Sequence, residues 1–203
     1  MKRLSGLALT LLAAAWAAAA PPKPMITGLK SPESVCVGLG GKIYVTEIGE
    51  FGKDGDGRVA VIENGKAVTY VDGMDDPKGI AHYQGFLFVA DKNRVWRIDP
   101  KGKKTEFANA KAFPIEPLFL NDIHVDPESG VIFVSDSGDL KGKGGAVYRI
   151  DPKGKVATVV NAENFKEINT PNGLHLDGQS HLLMADFGTG VLYRIKLANK
   201  EIE

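Results

Sequence analysis

Four times along the chain, a run of apolar residues ends in a single acidic residue. The runs occupy residues 43–47, 87–91, 132–136 and 182–186, and their acids are 44, 45 and 50 residues apart. An apolar run of this length without alternation predicts a strand that is covered on both faces. The sequence therefore predicts a buried strand within a repeat of about 45 residues.

Each run is the second of several short apolar segments in its unit. Segments at 35–37, 79–81, 123–125 and 174–176 precede the runs, and segments at 58–62, 94–98, 146–150 and 190–195 follow them. Fourth segments lie at 67–71, 104–107 and 156–160, and Gly, Asp-Pro and Asn-Gly turns separate the segments. Four strands repeated every 40–50 residues are typical of a β-propeller. We predict an all-β propeller of four-stranded blades, with units near 32–76, 77–120, 121–170 and 171–203.

The first twenty residues do not follow this pattern. Lys2 and Arg3 precede a Leu/Ala-rich run that ends in small residues before Pro21 and Pro22. A charged start, a short apolar run and a small-residue end are typical of a signal peptide. We predict a signal peptide over 1–20 and a propeller domain over 21–203. The protein would then be exported, periplasmic or secreted, without a stable membrane anchor after cleavage.

Composition narrows the choice of partners. Lys+Arg and Asp+Glu number 25 each, the sequence pI is about 6.9, and no long basic run occurs. This balance argues against nucleic acid as a partner. The single cysteine, Cys36, excludes an internal disulfide, and its Val-Cys-Val context favours apolar packing.

One position precedes the first strand of every unit and carries a polar residue. It is occupied by Glu33, Lys78, Asn121 and Asn172. In a propeller this position lies at the mouth of the central channel, where a carboxylate and two amide oxygens would suit a hard cation such as calcium. Asn-Asp and Asn-Gly pairs also simply form turns before strands. Both interpretations stay open from the residues alone.

Three motifs resemble those of the gluconolactonase/regucalcin (senescence marker protein, LRE-like) family of six-bladed propellers. The motifs are Pro32-Glu33, Asn121-Asp122 followed by Val125-Asp126, and Pro171-Asn172-Gly173, and the similarity spans most of residues 26–203. The resemblance implies that Glu33 and Asn172 bind a divalent cation: calcium first, with zinc, magnesium or manganese as alternatives. It also implies that Asn121 contacts substrate, either directly or through a water molecule. By the same resemblance, about four of the expected six blades are present and the propeller is incomplete at its C-terminus.

Two departures from the family concern catalysis. The family's third ligand, an Asp that also serves as general base, belongs to a fifth blade, so the catalytic residue of this chain is unknown. Members that act on sugar lactones tend to carry an Arg where this chain has Phe119. Phe119 therefore suggests a more apolar ligand, and Phe119 and Lys78 join Asn121 as predicted substrate contacts. Lys78 favours an anionic group, or alternatively a salt bridge to Glu33.

These features predict an exported, metal-dependent hydrolase of a small-molecule lactone or ester. The alternative is a non-catalytic propeller, similar to the NHL-repeat proteins, that binds a protein or a glycan. Three phenylalanines in the longer connections would line that binding surface: Phe113, Phe119 and Phe165. No particular protein partner is indicated.

Three further features have a structural interpretation that we favour over a functional one. His124 and His175 occupy matching strand positions and are expected to pack between blades. Residues 54–57 resemble a fragment of a calcium loop but lack its bidentate Glu, so a solvated hairpin tip is expected. The acid that ends each second strand recurs in every unit, which predicts a turn-capping role.

Overall fold

The computed structural model describes residues 22–203, so the predicted signal peptide lies outside the described residues. Fifteen strands form four antiparallel sheets, each built from strands that follow one another in the chain. Blade one contains β1 (Pro32–Val37), β2 (Ile43–Glu47), β3 (Gly57–Glu63) and β4 (Lys66–Met74), and blade two contains β5 (Pro77–Tyr83), β6 (Phe86–Asp91), β7 (Arg94–Ile98) and β8 (Lys104–Ala108). Blade three contains β9 (Leu120–Val125), β10 (Ile132–Asp136), β11 (Ala146–Ile150) and β12 (Val156–Asn161), and blade four contains β13 (Pro171–Asp177), β14 (His181–Asp186) and β15 (Val191–Lys196).

The predicted all-β propeller of four-stranded blades is confirmed. The innermost strands β1, β5, β9 and β13 lie side by side, and each blade continues outwards from its innermost strand. In blade four the place of the fourth strand is taken by a single bridge between Ile195 and Ile202. Arg194 and Glu203 exchange backbone hydrogen bonds of 2.9 Å beside that bridge.

The apolar core lies between the blades. Val89 of β6 packs in a cluster shared by blades one and two, whereas the neighbouring Phe88 packs in a cluster shared by blades two and three. A third cluster around Leu182 and Met184 joins blades three and four. The second strands of the two central blades, β6 and β10, each contribute to two clusters, and all five residues of β10 are buried. This double coverage explains the apolar runs without alternation.

The outer faces of the first and last blades have no neighbouring blade within residues 22–203. Val35 and Val37 on β1 and Leu192 on β15 are therefore exposed. Cys36, between the two valines, is half-buried against the cluster of blades one and two. Burial raises the pKa of its thiol to about 11.

The recurring acid has the predicted turn-capping role in every blade. Asp136 accepts hydrogen bonds from the backbone N–H groups of Leu118 and Phe119 at 3.2 and 2.8 Å. Glu47, Asp91 and Asp186 accept equivalent bonds from residues 30, 75–76 and 169–170. These bonds hold the segment that leads into each innermost strand.

Candidate functional site at the channel mouth

Each innermost strand contains a β-bulge at the same place. The register shifts directly after the pairs Pro32–Glu47, Pro77–Asp91, Leu120–Asp136 and Pro171–Asp186. The residues that follow these pairs are Glu33, Lys78, Asn121 and Asn172. The predicted equivalence of the four positions is therefore confirmed, and the bulge aims each side chain differently from a regular strand. Their roles in binding stay predictions.

Asn121 presents a fixed acceptor atom. The residue is only 6% exposed, and its Nδ2 lies 3.1 Å from Ser137 Oγ. The Ser137 hydroxyl donates its one hydrogen to the carbonyl oxygen of Pro171 at 2.7 Å, so it must accept from Asn121. This assigns the amide orientation. Within residues 22–203, the buried Oδ1 of Asn121 has no hydrogen-bond partner.

Glu33 and Asp122 place two carboxylates near each other. Loss of hydration at the channel mouth raises the pKa of Glu33, the charge of Asp122 raises it further, and the ammonium of Lys78 opposes both effects. Asp122 accepts hydrogen bonds from the N–H groups of Ile123 at 2.8 Å and Leu174 at 2.7 Å, so it ties blade three to blade four. Burial raises the pKa of Asp122 as well.

Asp122 is the member of this site that sequence reasoning missed. The signal that could have found it is its place directly after Asn121, within the same bulge. Its equivalents in the other blades are Ser34, Gly79 and Gly173, so only blade three places a carboxylate there. The site consequently has more negative charge than the four predicted positions alone indicate.

Lys78 is buried and does not form the predicted salt bridge to Glu33. Only 2% of the residue is exposed, and its Nζ donates to the carbonyl oxygen of Asp76 at 2.9 Å. The same atom lies 3.9 Å from the ring centroid of Phe119. No ion pair joins Lys78 to Glu33 in the part of the chain that the structure describes. Burial lowers the pKa of Lys78, and the nearby acids oppose that effect.

Asn172 lies at the blade-four margin of the site. Its backbone carbonyl oxygen accepts a 2.7 Å hydrogen bond from Ser135 Oγ. The residue lines a shallow depression together with Gly173, Phe187 and Leu192. The structure thus places Glu33, Lys78, Asn121 and Asp122 around one region, with Asn172 beside an open surface.

The donors at the mouth fit a hard divalent cation. No group of three or more His, Cys, Asp or Glu within residues 22–203 is arranged to hold a metal ion. A carboxylate from Glu33 and amide oxygens from Asn121 and Asn172 are nevertheless oxygen ligands of the type that calcium takes, with water completing its six to eight positions. The unpartnered Oδ1 of Asn121 and the proximity of two carboxylates both favour a positive ion.

Two of the three phenylalanines proposed for a binding surface pack in or against the core instead. Phe113 is buried and packs edge-on against Tyr148, with ring centroids 5.0 Å apart. Phe165 packs in the same way on Tyr193 at 4.9 Å. Aromatic pairs of this geometry stabilise an interior by more than their buried area. Only Phe119 remains beside the channel mouth.

His124 of blade three and His175 of blade four contact each other across the two blades, as predicted, although His124 is half-buried and His175 is exposed. Their ring centroids are 4.9 Å apart in a T-shaped arrangement. Burial lowers the pKa of His124, and the charge of His175 adds to that effect. At the hairpin tip that resembles a calcium loop, Asp54 instead binds the Nζ of Lys92 at 2.6 Å.

Comparison with known proteins identifies the family. A family model described as the SMP-30/Gluconolactonase/LRE-like region matches residues 74–202, more than half of the chain. The chain belongs to this family. The matched segment contains Lys78, Asn121 and Asn172 but begins after Glu33, so it covers blades two to four. No curated protein sequence matches the chain.

Several solved structures share the fold. Regucalcin from Agrobacterium tumefaciens, described as a calcium-binding protein, is 19% identical over 76% of this chain and 52% of its own, with a TM-score of 0.58. A gluconolactonase from Xanthomonas campestris is 14% identical over 88% of this chain and 62% of its own, with a TM-score of 0.65. A chain of a nidogen/laminin complex is 16% identical over 85% and 64%, with a TM-score of 0.67.

These identities support the fold alone. The chain spans between 52% and 64% of the length of those three structures. Among the residues that the structure describes, no helix is long and apolar enough to cross a membrane.

Proposed function

We propose that this protein is a divalent-metal-dependent hydrolase of a lactone or an ester. Its membership of the SMP-30/gluconolactonase/LRE-like family supports the reaction class. The observation that carries the proposal is the buried Oδ1 of Asn121, which has no hydrogen-bond partner among residues 22–203. A buried acceptor without a partner costs about 1–3 kcal/mol, which a bound cation or hydroxyl donor would offset.

The proposed roles follow from the donors. Glu33 and Asn172 would hold the cation, and Asn121 would contact the substrate or a water molecule beside it. A bound divalent cation supplies Lewis-acid polarisation of the carbonyl that water attacks. Asp122 and Lys78 would set the local charge, because they are an acidic and a basic residue at the same channel mouth. The general base stays unassigned.

The test is a titration of the purified protein with calcium, in which binding is measured by calorimetry. We expect one site per chain, loss of the site in Glu33→Gln, and loss of lactone hydrolysis on chelation. Glu128→Gln is the matched control, because Glu128 is an exposed glutamate of the turn between β9 and β10, at the opposite end of the blades. Hydrolysis that survives both chelation and Glu33→Gln would contradict the proposal.

The second candidate is a non-catalytic propeller, similar to the NHL-repeat proteins, that binds a protein or a glycan. Similarity to a chain of a nidogen/laminin complex favours it, since that complex shows this fold in a protein assembly. The same titration separates the two candidates. A protein that binds no divalent cation and turns over neither lactones nor aryl esters would support the binding module.

Export is proposed on the sequence of residues 1–20. The full chain, expressed with its own N-terminus in a bacterial host, would then be recovered from the periplasm or medium. Mass spectrometry would show a mature N-terminus near residue 21. Recovery of the uncleaved chain in the cytoplasmic fraction alone would contradict export.

A further inference from the structure

Exposed apolar side chains surround the end of the propeller that carries the polar ring. Phe51 in the β2–β3 loop is 63% exposed, Leu118 before β9 is 55% exposed, and Leu140 in the β10–β11 loop is 49% exposed. Because successive strands of a blade run in opposite directions, these three loops lie at the same end as the first residues of β1, β5, β9 and β13. Single exposed apolar residues are common on protein surfaces, but several exposed apolar residues at one channel mouth indicate a binding surface.

Contacts connect the three loops that carry these side chains. The ring of Phe51 lies 5.8 Å from the ring of Phe119, centroid to centroid. Leu118 adjoins Phe119 and packs over Gly144, in the loop that carries Leu140. We refer to Phe51, Leu118, Phe119 and Leu140 as the mouth patch.

Phe119 connects the mouth patch to the polar ring. The Phe119 ring contacts Phe51 at the rim of the channel mouth. It also contacts the buried ammonium of Lys78, which lies 3.9 Å from the centroid of the Phe119 ring. Two residues after Phe119, blade three also presents Asn121, whose Oδ1 has no partner in the described part of the chain. An apolar rim therefore leads directly to buried polar atoms. The ligand that this surface complements has one polar end and one apolar end.

We propose that the mouth patch binds the apolar substituent of the substrate, so that the substrate is an alkyl- or aryl-substituted lactone or ester. This inference rests on the proposed hydrolase function. A sugar lactone carries hydroxyl groups that would lose hydration against Phe51 and Leu118 without gaining hydrogen bonds. An alkyl or aryl group has no such cost, and it gains affinity for each methylene that it buries.

The probes are two matched ligand series measured on the full chain. The first is a set of γ-lactams with alkyl substituents from methyl to hexyl, which resist hydrolysis and report binding by calorimetry. The second is the corresponding set of γ-lactones, which reports turnover with and without a chelator. We expect the lactam Kd to fall about twofold per methylene, half the gain of full burial, since the patch is open on one side.

The variants distinguish binding at the mouth patch from non-specific hydrophobic binding. In Phe51→Ala, the decrease in the logarithm of the lactam Kd per added methylene should be at most half of the wild-type decrease. Phe51→Leu should retain most of the wild-type decrease. Val68→Ala on β4 is the matched control, because it shortens an exposed apolar side chain on an outer strand. Since Phe51 is mostly exposed, its variants are expected to unfold at the wild-type temperature, which a thermal melt checks.

The outcomes distinguish the two proposals. The inference about the mouth patch is overturned if the lactam Kd does not change with the length of the alkyl substituent. It is also overturned if the dependence of log Kd on that length is the same in Phe51→Ala as in the wild type. A Phe51-dependent slope without metal-dependent turnover of the lactones supports the patch and contradicts the hydrolase. Turnover that is lost on chelation but insensitive to chain length supports the hydrolase and overturns the patch.

Discussion

The amide of Asn121 donates to the hydroxyl of Ser137 at 3.1 Å, and this contact determines which atom of the amide lies free at the channel mouth. Ser137 is fully buried and uses its own hydrogen on the carbonyl oxygen of Pro171, in the first strand of blade four. The acceptor face of Asn121 is thus set by a residue 16 positions away and by the adjoining blade.

Ser137→Ala is expected to weaken ligand binding through Asn121. Without the hydroxyl, the amide can turn over, so the lactam Kd should rise about tenfold, equivalent to about 1.4 kcal/mol. The lost bond to the buried Pro171 oxygen should also cost about 1–3 kcal/mol of unfolding free energy. Ser137→Thr keeps a hydroxyl and should retain binding. Equal affinities for the Ala and Thr variants would show that Ser137 does not orient Asn121.

Asp136→Ala is expected to destabilise the fold strongly. The carboxylate accepts the N–H groups of Leu118, Phe119 and Gly138, and each buried donor left without a partner costs about 1–3 kcal/mol. We expect a total loss above about 3 kcal/mol in urea denaturation. Asp139→Ala is the control, since Asp139 accepts two N–H groups at the exposed loop tip. A loss no larger than that of the control would contradict the capping role.

Gly79→Ala is expected to disturb the contact between blades two and three. A Cβ at residue 79 would lie 2.6 Å from the backbone N of Ile123 and 2.8 Å from the carbonyl oxygen of Asn121. Backbone atoms cannot move aside cheaply, so we expect about 1–3 kcal/mol of destabilisation and weaker lactam binding.

Gly173→Ala is the matched control for this prediction. Gly173 has the equivalent position in blade four, where the nearest atom to an added Cβ is the Cβ of Ala185 at 3.8 Å, an ordinary contact. Its unfolding free energy should therefore stay close to that of the wild type. Equal effects of the two substitutions would show that the approach of the blades does not limit residue 79.

His124 is expected to make the protein less stable in mild acid. Burial holds its pKa below the ordinary value of 6.5, with His175 adding to this effect and Asp126 opposing it. The unfolded chain therefore takes up a proton first as the pH falls. The contribution is complete above about pH 6.5 and is lost as the pH falls towards the folded pKa, by at most about 1.4 kcal/mol per pH unit.

The measurement is a series of urea denaturations between pH 7.5 and 5.0, for the wild type and His124→Gln. The variant should lose less unfolding free energy than the wild type over this range. Two curves that stay parallel throughout would exclude His124 as a source of the acid sensitivity.

Much of the fold was predictable because its signals are local and repeated. The apolar runs at 43–47, 87–91, 132–136 and 182–186 indicate strands covered on both faces, and a neighbouring blade is what covers them. The acid at the end of each run lies 15 to 18 residues after the backbone N–H groups that it caps. Repetition also aligned Glu33, Lys78, Asn121 and Asn172 correctly, because a shared bulge preserves the register of every blade.

Other features depended on contacts between distant segments. Phe113 lies in the long connection between β8 and β9, and nothing in that stretch shows that Tyr148 packs against it. Lys78 is charged and follows a turn, yet it packs under Phe119, 41 residues later. Asp122 was missed because its neighbour Asn121 explained the motif, while the pKa of Glu33 depends on Asp122 from another blade.

The sequence by itself determined the all-β repeat, the position of each strand and the ring of polar residues at the channel mouth. These follow from hydrophobic periodicity and turn chemistry, which act over a few residues. Only the tertiary structure decided which atom of Asn121 is free, why Lys78 does not pair with Glu33, and how Phe51 meets Phe119. Those relations depend on contacts between blades, and such contacts exist only once the blades have packed against one another.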